Sequence, residues 1–358
     1  MTKKTYLSLV LLSFTLVFIS CEKDDAGPSL GGYAGGIIIT NEGAFGNSNS
    51  SISHYSPDSN KVTNNLFEMV NGRNPGDVLH SFGFEGDMGV IVVNNSQKIE
   101  VVDPETFESA GTITGFSYPR YFKGLGNGTG YVSNGSLAGE IYLVDLNIME
   151  VTDTIGVGMG PEQMARSGNY VFVANSGGWD FDNTVSVINI NTHEVEKSIE
   201  VGDIPVQAVT DANGDIWVLC RGKVVYDDTW TTIVEETDSR LVRIDGTTHE
   251  VVTDIVIGET GDYFNPSYLS VCPDGLELYF GESDGLYVMG IDENQQPASP
   301  LIEKDFTAVI TDPGTGYIMG VTLTDYSSAG KLHIYSANGT ETGSFNVGIG
   351  PNGLYSFY

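Results

Sequence analysis

The run PEQMARSG (161–168), NYVFVANSG (169–177), TVSVINI (184–190) and KSIEVG (197–202) decides the fold. It reads as a short strand opened by proline, a glycine turn, an apolar strand ending in Asn-Ser-Gly, an alternating strand and a last strand. The unit recurs along the chain, and self-similarity at a fixed period is the mark of a repeat architecture. Opening prolines stand at 75, 119, 161, 205, 266 and 351, and the first three gaps are 44, 42 and 44 residues. The 85-residue gap after Pro266 holds two units, with Phe306-Thr307 in place of the missing proline. The 61-residue gap after Pro205 holds one unit with an insertion at 222–239. Four strands per 40–45 residues is the pattern of a β-propeller blade.

The apolar second strands can be counted: GIIITN (36–41), VIVVNN (90–95), GYVSN (130–134), VFVAN (171–175), IWVLC (216–220), LYFG (278–281) and IMGVT (318–322). An all-β, seven-bladed propeller of four-stranded blades follows. The propeller begins on a second strand and ends on GPNGLYSFY (350–358), a first strand with no successor. That strand is expected to join the N-terminal blade and so remove the open edges of the array.

In antiparallel blades, the loops between strands two and three share a face with the connections between blades. Most of the unusual residues fall there: Phe45, Phe116, Tyr118, Trp179, Phe181, Tyr226, Trp230, Tyr263, Phe264 and Tyr326, with Arg73, Arg120 and Arg221. The opposite turns are plain, such as Glu85-Gly86-Asp87 and Asn213-Gly214. A loop aromatic can simply pack under its own turn, but ten on one rim indicate a binding surface. An aromatic rim dotted with arginine suits a large ring-shaped ligand carrying amide or phosphate groups.

At the N-terminus, two lysines precede an apolar run from Leu7 to Ile19 that ends at Phe18-Ile19-Ser20-Cys21. A run this short reads as a secretory signal, since a membrane span needs about 20 apolar residues. Its closing cysteine reads as a lipidation site. The expected layout is a signal over 1–20, the lipidated Cys21 with a Gly/Pro/Ser tether over 21–34, and the propeller over 35–358. Lys23-Asp24-Asp25 after the cysteine resembles the surface-export signal of Bacteroidota lipoproteins, which implies an outer-membrane, cell-surface location. Membrane attachment is then through lipid alone. The chain has 16 basic and 47 acidic residues, a formal charge of −31. Losing Lys3 and Lys4 with the signal leaves 14 against 47, or −33. Such a surface excludes nucleic-acid binding and attachment to anionic headgroups by charge. Cys220 and Cys272 fall on different blades of the alignment and read as buried thiols rather than a disulfide.

No catalytic signature emerges. The five histidines are scattered, and no His/Cys/Glu spacing suits zinc or haem. No nucleophile elbow or phosphate-cradling glycine loop is present. Asp180-Phe181-Asp182-Asn183 falls short of a calcium loop and reads as a solvated turn. The expectation is therefore a binding protein, with no enzyme activity, metal or cofactor.

The repeats resemble the YncE-like propellers. The runs NEGAFGNSNSSISHYS (41–56), NGRNPGDVLHS (71–81), VVNNSQKIEVVD (92–103) and GTITGFSYPRYF (111–122) are similar to the surface cobalamin-binding lipoproteins of the BtuG type. This likeness spans the mature chain and is weakest over 222–239. It implies capture of cobalamin or a related corrinoid and delivery to an outer-membrane TonB-dependent transporter. Two other classes stay open at this point: a surface module for glycan or protein, and a propeller lyase or lactonase. Fold alone does not choose among them.

Overall fold

A computed structural model describes residues 32–357 other than 259, 262–265 and 267. The signal, Cys21 and most of the tether lie outside the described residues, as do Tyr263 and Phe264. Seven antiparallel sheets form, each read from the channel outward. Blade 1 joins Pro351–Phe357 to Gly36–Asn41, Ser51–Ser56 and Lys61–Thr63. Blade 2 is Leu79–Glu85, Met88–Val93, Lys98–Val102 and Ser109–Thr114; blade 3 is Pro119–Gly126, Thr129–Asn134, Glu140–Asp145 and Glu150–Gly156. Blade 4 is Pro161–Ser167, Tyr170–Asn175, Thr184–Asn189 and Glu194–Glu200. Blade 5 is Pro205–Thr210, Ile216–Cys220, Ser239–Ile244 and Val251–Gly258. Blade 7 is Ala308–Thr311, Ile318–Thr322, Ala329–Tyr335 and Glu341–Ile349. Blade 6 keeps three full strands, Leu269–Val271, Glu277–Glu282 and Gly285–Gly290, and its fourth is reduced to a bridge between Leu286 and Ile302.

The second strands are apolar throughout because each is covered on both faces by neighbouring blades. Ile37, Ile38 and Ile39 are fully buried, as are Val90 to Val93 and Ile216 to Cys220. Seven apolar clusters result, one at each junction between blades. The asparagines that end these strands are structural. Asn41, Asn134 and Asn175 are fully buried and donate across the turn to the third strand, Asn175 to Thr184 and Ser186 at 3.0 Å.

Closure is as expected: Pro351–Phe357 pairs antiparallel with Gly36–Asn41 along its length, and Gly35 N–H donates to Phe357 O at 2.8 Å. Cys220 and Cys272 are free and buried on blades 5 and 6. A short helix, Leu66–Asn71, lies in the connection between blades 1 and 2. Its Leu66 and Phe67 are fully buried under the blades, and Gly72 ends it in the left-handed conformation. The insertion forms a separate two-stranded hairpin, Val224–Tyr226 with Ile233–Glu236.

Candidate ligand-binding face

The first strands ring the central channel, and the residues after Pro119, Pro161, Pro205 and Pro351 stand at its mouth. These are Arg120, Glu162, Val206 and Asn352, joined by His80 of blade 2, whose Pro75 falls ahead of the strand rather than at its start, and by Thr307 of blade 7. These six residues line a cavity of about 490 Å³. Its outer wall is the blade 4 loop with Trp179, Asp180 and Phe181, and Arg221 stands at the end of the second strand of blade 5. Trp179 is 70% exposed and Phe181 39%, so both offer open ring faces.

Hydrogen bonds between successive first strands hold this mouth rigid. Ser81 Oγ donates to Arg120 O at 2.6 Å, and Ala208 N–H donates to Gln163 Oε1 at 3.2 Å. Leu269 N–H donates to Gln207 Oε1, and Thr307 Oγ1 donates to Pro351 O at 2.7 Å. Asn352 Nδ2 donates to the carbonyls of Leu79 and His80 at 3.0 Å. Arg120 Nε binds Glu162 Oε2 at 2.9 Å, so six of the seven junctions are stitched among the described residues. Pro-x-Gln at 161–163 and 205–207 carries two of these links, a signal that lies in the first strands of the repeat and not in its loops.

The charged groups are unevenly paired. Arg120 is satisfied by Glu162 and lies 5.6 Å from the Tyr118 ring centre. Asp180 Oδ1 accepts the Phe181 N–H at 2.9 Å within its own loop. His80 Nδ1 lies 3.5 Å from Arg120 Nη1. An arginine only donates, so Nδ1 accepts and the proton sits on Nε2. Burial, followed by the neighbouring Arg120 charge, holds the His80 imidazole well below its usual pKa and keeps it neutral. Burial likewise pushes the Tyr121 hydroxyl up, and Glu162 adds to that shift. His80 Nε2 and Arg221 Nε are both buried without a hydrogen-bond partner.

Two backbone features fix the Trp179 loop. Gly160 has φ +59°, and a Cβ there would lie 1.9 Å from Gly178 N. Asp182 Oδ2 accepts the Met159 N–H at 2.9 Å, while Oδ1 accepts from Asn183, Thr184 and the Thr184 hydroxyl. That carboxylate is consumed by its turn, and no group of three potential metal ligands occurs among the described residues.

The thirteen expected rim residues therefore separate. Arg120, Trp179, Phe181 and Arg221 line one cavity, and Tyr118 supports it with its ring 5.1 Å from Trp179. Tyr226 and Trp230 stack at 6.1 Å on the hairpin, Trp230 being 80% exposed. Phe45 and Tyr326 are exposed on loops outside the cavity wall. Two expectations need correction. Phe116 is buried in the junction of blades 2 and 3 against Tyr142, because its short connection folds it inward. Arg73 turns to the blade edge, where both its terminal nitrogens bind buried Glu100 at 2.9 Å.

These features define a seven-bladed β-propeller whose channel mouth carries an aromatic-walled cavity. The chain belongs to DUF5074, a domain of unknown function, which matches residues 35–347. No curated protein matches its sequence. The fold is similar to the crystal structure of a quinoprotein alcohol dehydrogenase-like protein from Bacteroides thetaiotaomicron, with a TM-score of 0.64 and 10% identity over 91% of this chain and 79% of that one. Hydrazine synthase from Kuenenia stuttgartiensis is also similar, with a TM-score of 0.50 and 17% identity over 70% and 73% of the two chains. At such identities these likenesses concern the fold alone.

Proposed function

We propose that this protein is a cell-surface lipoprotein that captures cobalamin or a related corrinoid at the channel mouth and passes it to an outer-membrane TonB-dependent transporter. The observation that carries this reading is the cavity itself, where two exposed aromatic rings and two arginines meet on a rigid floor. A cavity of about 490 Å³ accepts only part of so large a ligand. The ring would lie across the mouth against Trp179 and Phe181, with side groups reaching down among hydrogen-bond donors. The similarity of the first blades to BtuG-type lipoproteins supplies the ligand class. A lyase or lactonase reading has only the shared fold behind it.

The test is direct. Purified protein mixed with cyanocobalamin should co-elute with the corrin absorbance on gel filtration, and no retention at micromolar concentrations would overturn the reading. Trp179→Ala should weaken retention by about 10-fold or more, the loss of one aromatic contact.

A further inference from the structure

One cation of the cavity lining, Arg221, has no acceptor of its own. Among the described residues the Arg221 side chain makes no hydrogen bond or ion pair, and its Nε is buried. The other arginine of the lining, Arg120, is held by Glu162, and Asp180 engages one oxygen with the Phe181 N–H of its own loop. His80 lines the same cavity and is neutral, with its Nε2 buried away from it. Leaving a buried donor unmade costs far more than an average hydrogen bond contributes, and more still for a charged group. In a chain with 47 acidic and 16 basic residues, a partly buried arginine without a carboxylate is a departure that calls for an external acceptor.

We propose that Arg221 forms an oxyanion subsite in the cavity, taking a phosphate or carboxylate group of the bound ligand. Arg221 supplies charge and, through its terminal nitrogens, a planar pair of donors suited to such a group, and His80 serves as a neighbouring reporter. This deepens the capture reading of the same cavity: on a corrinoid, the group seated there is the phosphodiester of the nucleotide loop. Glu162 does not oppose the anion, because its charge is offset by Arg120 at 2.9 Å.

The experiment compares cyanocobalamin with dicyanocobinamide, a corrinoid without the nucleotide loop and its phosphodiester, on wild type, Arg221→Gln and Arg221→Lys. A parallel titration with inorganic phosphate follows the His80 ring resonances by NMR. The expected result is a loss of about 10- to 100-fold in cobalamin affinity for Arg221→Gln with little change for cobinamide. Arg221→Lys should recover part of that loss, and the unfolding midpoint of both variants should match wild type. Phosphate should shift the His80 resonances in wild type and not in Arg221→Gln. Equal losses for both corrinoids, or none for either, would overturn the subsite while leaving capture intact. If wild type retains neither corrinoid, the capture reading falls by itself. The phosphate titration then decides the subsite, and unmoved His80 resonances would overturn it.

Discussion

At the scale of single residues, His54 and His80 each hold a buried Nε2 without a partner, and burial keeps both rings neutral. His54 is 2% exposed, with Nε2 unsatisfied, and burial lowers its pKa to about 4. Its folded pKa is depressed below the unfolded value of about 6.5, so protonation favours the unfolded chain as pH falls. Stability from this residue is full above pH 6.5 and declines down to about pH 4, by roughly 3 kcal/mol at most. Urea midpoints measured at pH 7 and pH 4.5 should therefore converge more in His54→Phe than in wild type; equal slopes would contradict the assignment. A second residue-scale expectation concerns Gly160, where a side chain collides with the Gly178 backbone. Gly160→Ala should displace the Trp179 loop and lower ligand retention while the far-ultraviolet circular dichroism stays unchanged. The aromatic rim was legible in the sequence as a set of loops, but the direction of each side chain was not. Phe116 and Phe181 look alike as loop residues, and only the short connection that tucks Phe116 under Tyr142 separates them.

At the scale of elements, regular strands were the most readable part because their burial is dictated on both faces by identical neighbours. The count of second strands and the prolines at 119, 161, 205 and 351 fall on strand starts in the structure. The helix at Leu66–Asn71 was harder to see, since six residues carry less than two full turns of periodicity. The hairpin in blade 5 hid for another reason: Val224–Tyr226 and Ile233–Glu236 pair only with each other. It adds little to the core, with Trp230, Ile233 and Val234 exposed. Replacing residues 223–237 by a short glycine-serine turn should shift the thermal midpoint by no more than about 3 °C, since a loss near 1 kcal/mol moves a chain of this size by only a few degrees. A larger drop would show that the hairpin braces blade 5.

At the scale of the whole molecule, the ring is a closed series of junctions, each with its own apolar cluster and, at the mouth, most with a stitching bond. The candidate cavity was legible only in part because it is a property of the ring. His80, Glu162, Asn352 and Thr307 come from four different blades and meet only after closure. Deleting residues 351–358 should leave the edge of Gly36–Asn41 open and produce oligomers by light scattering, with a synthetic GPNGLYSFY peptide restoring the monomer. A deletion variant that stays monomeric without the peptide would contradict the role of the closing strand. The same strand pairing has a mechanical side. Gly36 lies at the end of its strand away from the cavity, so a load applied at Gly36 along the strand acts on the face opposite the mouth. The load runs along Gly36–Asn41, which is gripped by Ser51–Ser56 on one flank and Pro351–Phe357 on the other. Both ladders then bear it in shear, their bonds strained together rather than peeled in turn, and the mouth on the upper face keeps its shape under tension.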